Sequence, residues 1–442
     1  MKRITKVTAV LTTALLASGL AACSGSSSAT TPAATASIDS ALSQGGSLTF
    51  WGWSPADEKR AKAFEAAYPK VTVQYVNAGS GTDEYTKLSN AVAAGKGGPD
   101  VAQMEYTAIP QFALSKTLVD LAPYGFGDLK SKFATASWSA VASGQSVWGV
   151  PEDSGPMALF YNKRIFDKFG ITVPTTWDQF VTAAKKLHAA DPTEYLTSDG
   201  GDGLFTSSMI WQAGGHPYTV DGTKVTLNLQ DEGTKKWTAV WNQLVQGSLL
   251  SPTPSYTDDW YKQLGNGQIA ALVSGAWMPG LLASSAPAGA GDWQAAPMPT
   301  YDGKATSANY GGSAAVVVKG TQNAALAAAF ARWIETDPQA IKIAMDAGTF
   351  PATVADLKSD ALLSAKNAYF GNQEINRVLL AASDAVPSGW QYLPFQSYAQ
   401  TIFADSVGQA YANHTDLNPA LKKWQDALVS CGNQQGFTIT GK

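Results

Sequence analysis

Residues 47–107 read SLTFWGWSPADEKRAKAFEAAYPKVTVQYVNAGSGTDEYTKLSNAVAAGKGGPDVAQMEYT, and two periods alternate along them. The opening SLTFWGW, residues 47–53, is an apolar run of strand length. Residues 57–68 carry Ala61, Phe64, Ala67 and Tyr68 at roughly helical spacing, and Pro69 stops the pattern. Residues 71–76 alternate as a half-buried strand, 84–94 are helical, and 100–104 are strand-like. This alternation predicts an α/β layer with a mostly parallel sheet. In such sheets ligands bind beyond the carboxyl ends of the strands. That rule gathers residues 51–54, 77–83 and 105–107 on one rim.

A second α/β half follows. Residues 158–161 are strand-like, 177–190 form a helix with Thr175 or Thr176 as its cap, and 234–246 form another helix. Residues 269–273 and 311–318 read as buried strands. From Asn323 the chain is mainly helical, with helices near 323–336, 338–346, 372–384, 396–412 and 417–430.

The start of the chain has a different character. Lys2, Arg3 and Lys6 precede an apolar run over 7–20, the layout of a secretory signal and too short to span a membrane. The run ends in Leu20-Ala21-Ala22-Cys23, which closely resembles the bacterial lipobox. That resemblance implies a signal peptide over 1–22, cleavage before Cys23, and lipidation (palmitate among the acyl groups) of the Cys23 thiol. Ser24 to Thr31 continues as a Ser/Gly/Ala stretch with too little apolar surface to fold, so 23–45 reads as a flexible tether. The expected location is the outer face of the cell membrane.

Composition bounds the partners. About 395 residues follow the tether, enough for two or three domains. The chain is 15% charged with 14 tryptophans, which suggests surfaces that work by aromatic contact and neutral hydrogen bonds. Losing Lys2, Arg3 and Lys6 takes the formal charge from −4 to −7. With no basic cluster, nucleic acid is not an expected partner. Cys431 is the one cysteine besides Cys23, so no internal disulfide is available once Cys23 is lipidated.

Several chemistries lack their residues. His188, His216 and His414 stand apart from other ligands at metal spacing, and His188, beside Lys185 and Lys186, reads as solvated. No nucleophile elbow, phosphate loop or dinucleotide fingerprint occurs. The segment Asp199-Gly-Gly-Asp202-Gly reads as a polar turn, because it lacks the alternating acids of a calcium loop. No metal, cofactor or catalytic residue is expected. Paired carboxylates on a cleft do remain able to hydrolyse a glycosidic bond.

An ordered set of motifs then covers about 350 residues. It comprises Gly98-Pro99-Asp100-Val101; Val150-Pro151; Leu159-Phe160-Tyr161-Asn162-Lys163; Pro174 with Trp177 and Phe180; and Ala213-Gly214-Gly215. Leu264, Gly267 and Ala270 lead to Ser274-Gly275-Ala276-Trp277, and Gly311-Gly312 and Gly348-Thr349-Phe350-Pro351-Ala352 close it. The set resembles the extracellular solute-binding proteins of carbohydrate ABC importers, the group that includes maltose-binding protein. The resemblance implies a periplasmic-binding-protein-like fold: two α/β lobes joined by a multi-segment hinge, with a ligand cleft between them. The N-lobe is expected over 46–152 plus 311–355 and the C-lobe over 156–308 plus 356–438. The crossings are expected near 151–156, near 307–312 and just after 352. The implied protein is a monomeric, non-enzymatic sugar carrier, delivering an oligosaccharide to a membrane permease pair driven by a cytoplasmic ATPase.

A sugar presents hydroxyls at its edge and C–H groups on its faces, so its cleft needs flat aromatics and neutral hydrogen-bonding groups. Trp277 is the leading candidate, since the family places a stacking tryptophan there and Ser274-Gly275-Ala276 expose it. Trp390 lies in a loop with little core reason to carry a tryptophan, in a region where the family contributes an aromatic. Trp211 reads equally as ligand contact or core. Trp53 and Ser54 close the first strand–helix turn, and Glu105 and Tyr106 follow the third strand. Asn77, Ser80, Thr82 and Asp83 offer further hydrogen bonds. Asp153 at the first crossing binds ligand or braces the hinge. Gly155, Asn309 and Gly311 sit at crossings, where glycine lets backbone N–H groups approach a ligand. Two other readings stay open: a surface glycosidase or esterase using Glu105 or Asp153, and a binder of a non-sugar solute.

Overall fold

Residues 46–51 become a strand in the interior of a sheet. The computed structural model describes residues 37–441; Cys23 and the signal segment lie outside the described residues. Helix α1 (Ile38–Gln44) comes first, capped by the Ser37 side chain, and it buries Ile38 and Ala41. The tether expected over 23–45 is therefore too long by the whole of this helix. Two apolar side chains three apart share one face, and that face docks on a later helix.

Next come β1 (Gly46–Trp51), α2 (Asp57–Ala67), β2 (Val71–Val76), α3 (Thr82–Ala94) and β3 (Val101–Glu105). Strand β4 (Val150–Pro151) leads out of this lobe. The second lobe is built on β5 (Ala158–Asn162), α4 (Trp177–Ala190), α5 (Gly203–Gln212), β6 (Ala271–Ser274), α6 (Met278–Ser285) and β7 (Trp293–Ala296). The chain then returns to the first lobe with β8 (Ser313–Val317) and α7 (Ala324–Thr336).

The first sheet runs β2-β1-β3-β8-β4. β1 is parallel to β2 and β3, but β8 is antiparallel to both β3 and β4. The second sheet, β6-β5-β7, is wholly antiparallel. The expected mostly parallel sheet thus holds only for the first three strands. The cause is the hinge: β8 enters from the second lobe at the rim where β3 ends, pairing Ser313 with Glu105, so it must run the opposite way.

Buried side chains divide the same way. Phe50, Met104, Val316 and Phe330 share one core; Leu159, Trp177, Trp241 and Trp424 share another. Ten of the 14 tryptophans are buried, so their abundance mainly reflects core packing. Trp53, Trp148, Trp277 and Trp390 are the half-buried remainder, and three of these four are site candidates.

Three segments run side by side between the lobes. Glu152 N–H donates to the Ser313 carbonyl at 2.9 Å, Ser154 N–H to Phe350 at 3.2 Å, and Tyr310 N–H to Gly155 at 2.8 Å. Short antiparallel bridges pair Asp153 with Pro351 and Pro156 with Asn309. Gly155 is required here, because a Cβ would lie 2.4 Å from the Tyr310 carbonyl oxygen.

A buried charge cluster fixes the first lobe to this hinge. Arg60 of α2 donates to Asp57 at 2.5 Å, to Glu152 at 2.6 Å and to Glu335 of α7 at 3.2 Å, with all four side chains inaccessible to solvent. Burial opposes the guanidinium charge, and the three carboxylates overcome that opposition and hold Arg60 above its ordinary pKa.

Candidate functional site

On the first lobe, rim loops leave β1, β2 and β3. The N–H groups of Trp53 and Ser54 both donate to Gln103 Oε1, at 2.9 and 3.2 Å. Gln103 Nε2 in turn donates to Ser313 Oγ at 3.2 Å, tying the Trp53 loop to the hinge. Ser54 is buried, its N–H also donates to Asp57, and its hydroxyl accepts from Ala56 N–H at 3.4 Å. Ser54 thus shapes the turn, while Trp53 stays half-exposed.

Glu105 is half-buried and accepts from Tyr85 Oη at 3.1 Å, while the Glu105 N–H donates to that same oxygen at 2.9 Å. Burial pushes the Glu105 carboxyl above its ordinary value; the Tyr85 bond opposes this, and Asp153 and Asp202 add to the rise. Asp202 belongs to the other lobe, so the two faces share one electrostatic space. Glu84 lies beneath, fully buried, with neither carboxyl oxygen hydrogen-bonded. Burial first, then Glu105 and Asp57, push its pKa up to about 9. Asn77, Ser80, Thr82 and Asp83 are exposed. Their loop comes near Glu105 at Gly81, whose added Cβ would be 3.9 Å from Glu105 Oε2.

At the hinge, Asp153 Oδ1 accepts from Ser313 N–H at 2.6 Å and from Ser313 Oγ at 2.9 Å. Of its two open roles, bracing the crossing is the one these bonds perform. Tyr106 is 1% exposed and donates its hydroxyl to the Asp153 carbonyl at 2.7 Å, so its ring fills the hinge. The glycines also have another task than backbone approach to a ligand. Gly155 makes room for Tyr310, and a Cβ on Gly311, at φ 83°, would lie 3.2 Å from Trp277 Nε1. Asn309 is buried, and its carbonyl accepts from Ser208 Oγ at 2.9 Å.

The second lobe presents aromatics. Trp277 follows β6 and opens α6, and its Nε1 donates to the Tyr310 carbonyl at 2.7 Å. Gly275 lets the indole fold back, since a Cβ there would be 2.5 Å from Nε1. The ring lies 5.4 Å from Tyr310 and 6.3 Å from Tyr256. Trp390 stacks on Trp211 at 5.0 Å and 12°, and Trp211 Nε1 donates to the Pro387 carbonyl at 3.1 Å. Trp390 therefore has a core reason to exist: it covers Trp211 and the second-lobe core. Gln391 holds this loop by bonding both the N–H and the carbonyl of Val220. Trp211, Trp390, Tyr106, Asn309 and Tyr392 line a narrow gap to which both lobes contribute.

Beside Trp277 is a cavity of about 280 Å³, lined by Asp199, Asp202, Tyr256, Trp260, Ser274 and Tyr310 among others. Tyr310 Oη donates to Asp202 at 2.7 Å and Tyr256 Oη lies 3.0 Å from Tyr310 Oη. The 199–203 segment is a turn, with Asp202 capping α5. Asp202, Tyr256, Trp260 and Tyr310 escaped the sequence reading. A signal existed for Tyr256: like Trp390, it is an aromatic in a proline-bearing loop, here 252–257, and its φ of 68° is unusual for so bulky a residue.

His188 is half-buried, with Nδ1 3.2 Å from the Glu194 carbonyl, and is not the solvated side chain expected. Cys431 is a half-buried free thiol. Among the described residues no cluster of side chains is arranged to hold a metal ion, and no helix is long and apolar enough to cross a membrane.

Comparison with known proteins follows these lines. A family model described as bacterial extracellular solute-binding protein matches residues 52–341. The arabinooligosaccharide-binding protein of Halalkalibacterium halodurans is 25% identical over 358 residues, covering 78% of this chain and 79% of that protein. Among solved structures, the ABC-transporter-associated binding protein of B. animalis subsp. lactis Bl-04, in complex with β-1,6-galactobiose, is 39% identical. Its TM-score is 0.81, over 89% of this chain and 99% of that one. The galacto-N-biose/lacto-N-biose I-binding protein of Bifidobacterium longum, at 24% identity and a TM-score of 0.79, covers 90% of this chain and 99% of its own and shares the fold.

Proposed function

We propose a sugar-capture role for this chain, which belongs to the bacterial extracellular solute-binding proteins. It binds an oligosaccharide in the cleft between its lobes and delivers it to an ABC-type permease. The observation that carries this reading is the aromatic wall of Trp277, Tyr310 and Tyr256, backed by the Asp202 carboxylate. Flat rings meet the C–H faces of a sugar, and the carboxylate and hydroxyls meet its rim. The likeness to a galactobiose-binding protein at 39% identity supports the same class of ligand.

The lobes divide the work. The second lobe supplies the rigid aromatic wall, and the first brings Trp53 and Glu105 over the sugar as the three crossings flex. Ligand that contacts both lobes in the closed form favours closure by that difference in contact. No residue need react covalently. Outside the described residues, Cys23 would carry the lipid that keeps the protein near its permease and raises its local concentration there.

Calorimetry of the mature chain against an oligosaccharide panel tests the reading, with the sugar recovered afterwards by chromatography. Saturable binding with intact sugar and a change in tryptophan emission is the expected result. Time-dependent cleavage that disappears in Glu105→Gln overturns a binding-only role. Binding of a polyol or peptide and of no sugar overturns the ligand class. For the anchor, labelled fatty acid should enter the wild-type chain and not Cys23→Ser.

A further inference from the structure

We infer that the cavity beside Trp277 receives one end ring of the bound sugar and discriminates against acidic sugars there. This rests on the sugar-capture reading and adds the charge class of the ligand. At about 280 Å³ the cavity lies just under the ~300–1,000 Å³ of pockets that enclose whole small ligands, so it suits a single ring.

Its polar lining is rich in acceptors and poor in free donors. Tyr310 spends its one hydroxyl hydrogen on Asp202 Oδ2. Tyr256 must therefore donate to Tyr310, which leaves the Tyr256 oxygen as an acceptor. Trp260 Nε1 is already used on Ser198 Oγ at 2.7 Å. Asp199 Oδ2 is held by Trp241 Nε1 and Tyr411 Oη, both at 2.7 Å. One lining group stands without a partner: Ser274 Oγ, on a residue 2% exposed. A buried hydroxyl left unmatched is costly, and a sugar hydroxyl entering the cavity would supply its bond.

The electrostatics point the same way. The cavity lining includes Asp199 and Asp202 and no lysine, arginine or histidine. The N-terminus of α5, which would otherwise attract an anion, is already occupied by Asp202 Oδ1, accepting from Leu204 N–H at 2.7 Å and Phe205 N–H at 3.2 Å. Helix α6 has no side-chain cap, and its first residue, Met278, lines the cavity. A free helix N-terminus carries roughly half a positive charge, which two carboxylates outweigh. A uronate brings a third carboxylate that can only accept hydrogen bonds. A neutral ring brings hydroxyl donors, and an amino sugar brings a cation.

The test uses lactose, β-1,6-galactobiose and maltotriose, each paired with the same sugar oxidised at its terminal C6 to the uronic acid, titrated calorimetrically at pH 7. Whichever neutral sugar binds, its uronate should bind at least tenfold more weakly. Asp202→Asn keeps a good helix cap and should narrow that ratio at least threefold. Ser274→Ala should leave the unliganded melting temperature unchanged or higher and lower affinity for the neutral sugar about fivefold. A uronate that binds within twofold of its neutral partner overturns the inference while sparing sugar capture. Failure of every sugar to bind or to alter tryptophan emission removes both.

Discussion

The two faces of the cleft are built by opposite means. The first-lobe face rests on buried charge and side-chain amides: Arg60 among three carboxylates, Gln103 under Trp53, and Tyr85 under Glu105. The second-lobe face rests on rings packed edge and face, Trp277 on Tyr310 and Trp390 on Trp211. Charge networks are all-or-none, because removing one partner strands the others in a low dielectric. Aromatic packing is graded, each ring adding about 0.5–1.5 kcal/mol beyond its buried area. Damage to the first face should therefore appear as lost stability, and damage to the second as lost affinity.

The largest effect is expected at Arg60. Arg60→Met keeps the volume and leaves Asp57, Glu152 and Glu335 buried without their cation, a loss of about 3–5 kcal/mol. Urea denaturation should show it, and a stability within 1 kcal/mol of wild type would break the claimed contrast. Trp277→Ala comes next and tests the other side. It should weaken oligosaccharide binding about ten- to hundredfold, from the lost ring face and the lost anchor on Tyr310, while leaving most of the fold intact. Unchanged affinity in calorimetry would remove Trp277 from the site.

This asymmetry also explains what could be read from sequence. Element type was legible, because period alone determines it: residues 71–76 and 177–190 are the strand and helix that their spacing predicts. Strand direction was not, because β8 runs backwards owing to a hinge that lies outside its own sequence. Trp277 was legible through the small residues before it, and the structure shows why: Gly275 is the space its ring occupies. The rest of the aromatic wall was hidden. Tyr256, Tyr310 and Asp202 touch across separations of 54 and 108 residues, and no local pattern records such a meeting. Trp390 was singled out as a loop residue without a core purpose, yet it covers Trp211 by a contact equally remote in sequence.

The smaller predictions sharpen the first-lobe face. Glu84 has a folded-state pKa of about 9 against an ordinary 4.5, so the folded chain holds a proton there that the unfolded chain releases above pH 4.5. An acid whose pKa is raised by folding favours the fold at low pH, and that advantage falls as pH rises from about 4.5 toward 9. Glu84→Gln replaces the neutral carboxyl with a permanently neutral amide. It should change stability little at pH 5 and raise it by about 1 kcal/mol at pH 8, measured by urea denaturation at both values. A gain equal at the two pH values would mean that shape, and not the proton, sets the cost of Glu84.

Asn77 should matter least, and that smallness is informative. Its side chain is exposed, and its one bond in the structure is the short-range contact from Gly79 N–H to Oδ1 at 3.0 Å. Nothing buried holds it, in contrast to Trp53, whose loop is fixed through Gln103 to the hinge. A hydrogen bond from such a side chain to a sugar hydroxyl must offset the entropy of fixing its rotamer, so its net value is a few tenths of a kcal/mol. Asn77→Ala should therefore shift calorimetric affinity by less than about twofold. A loss of tenfold or more would show that the 77–83 loop is ordered by the sugar itself, and that the first-lobe face is completed only when the ligand is bound.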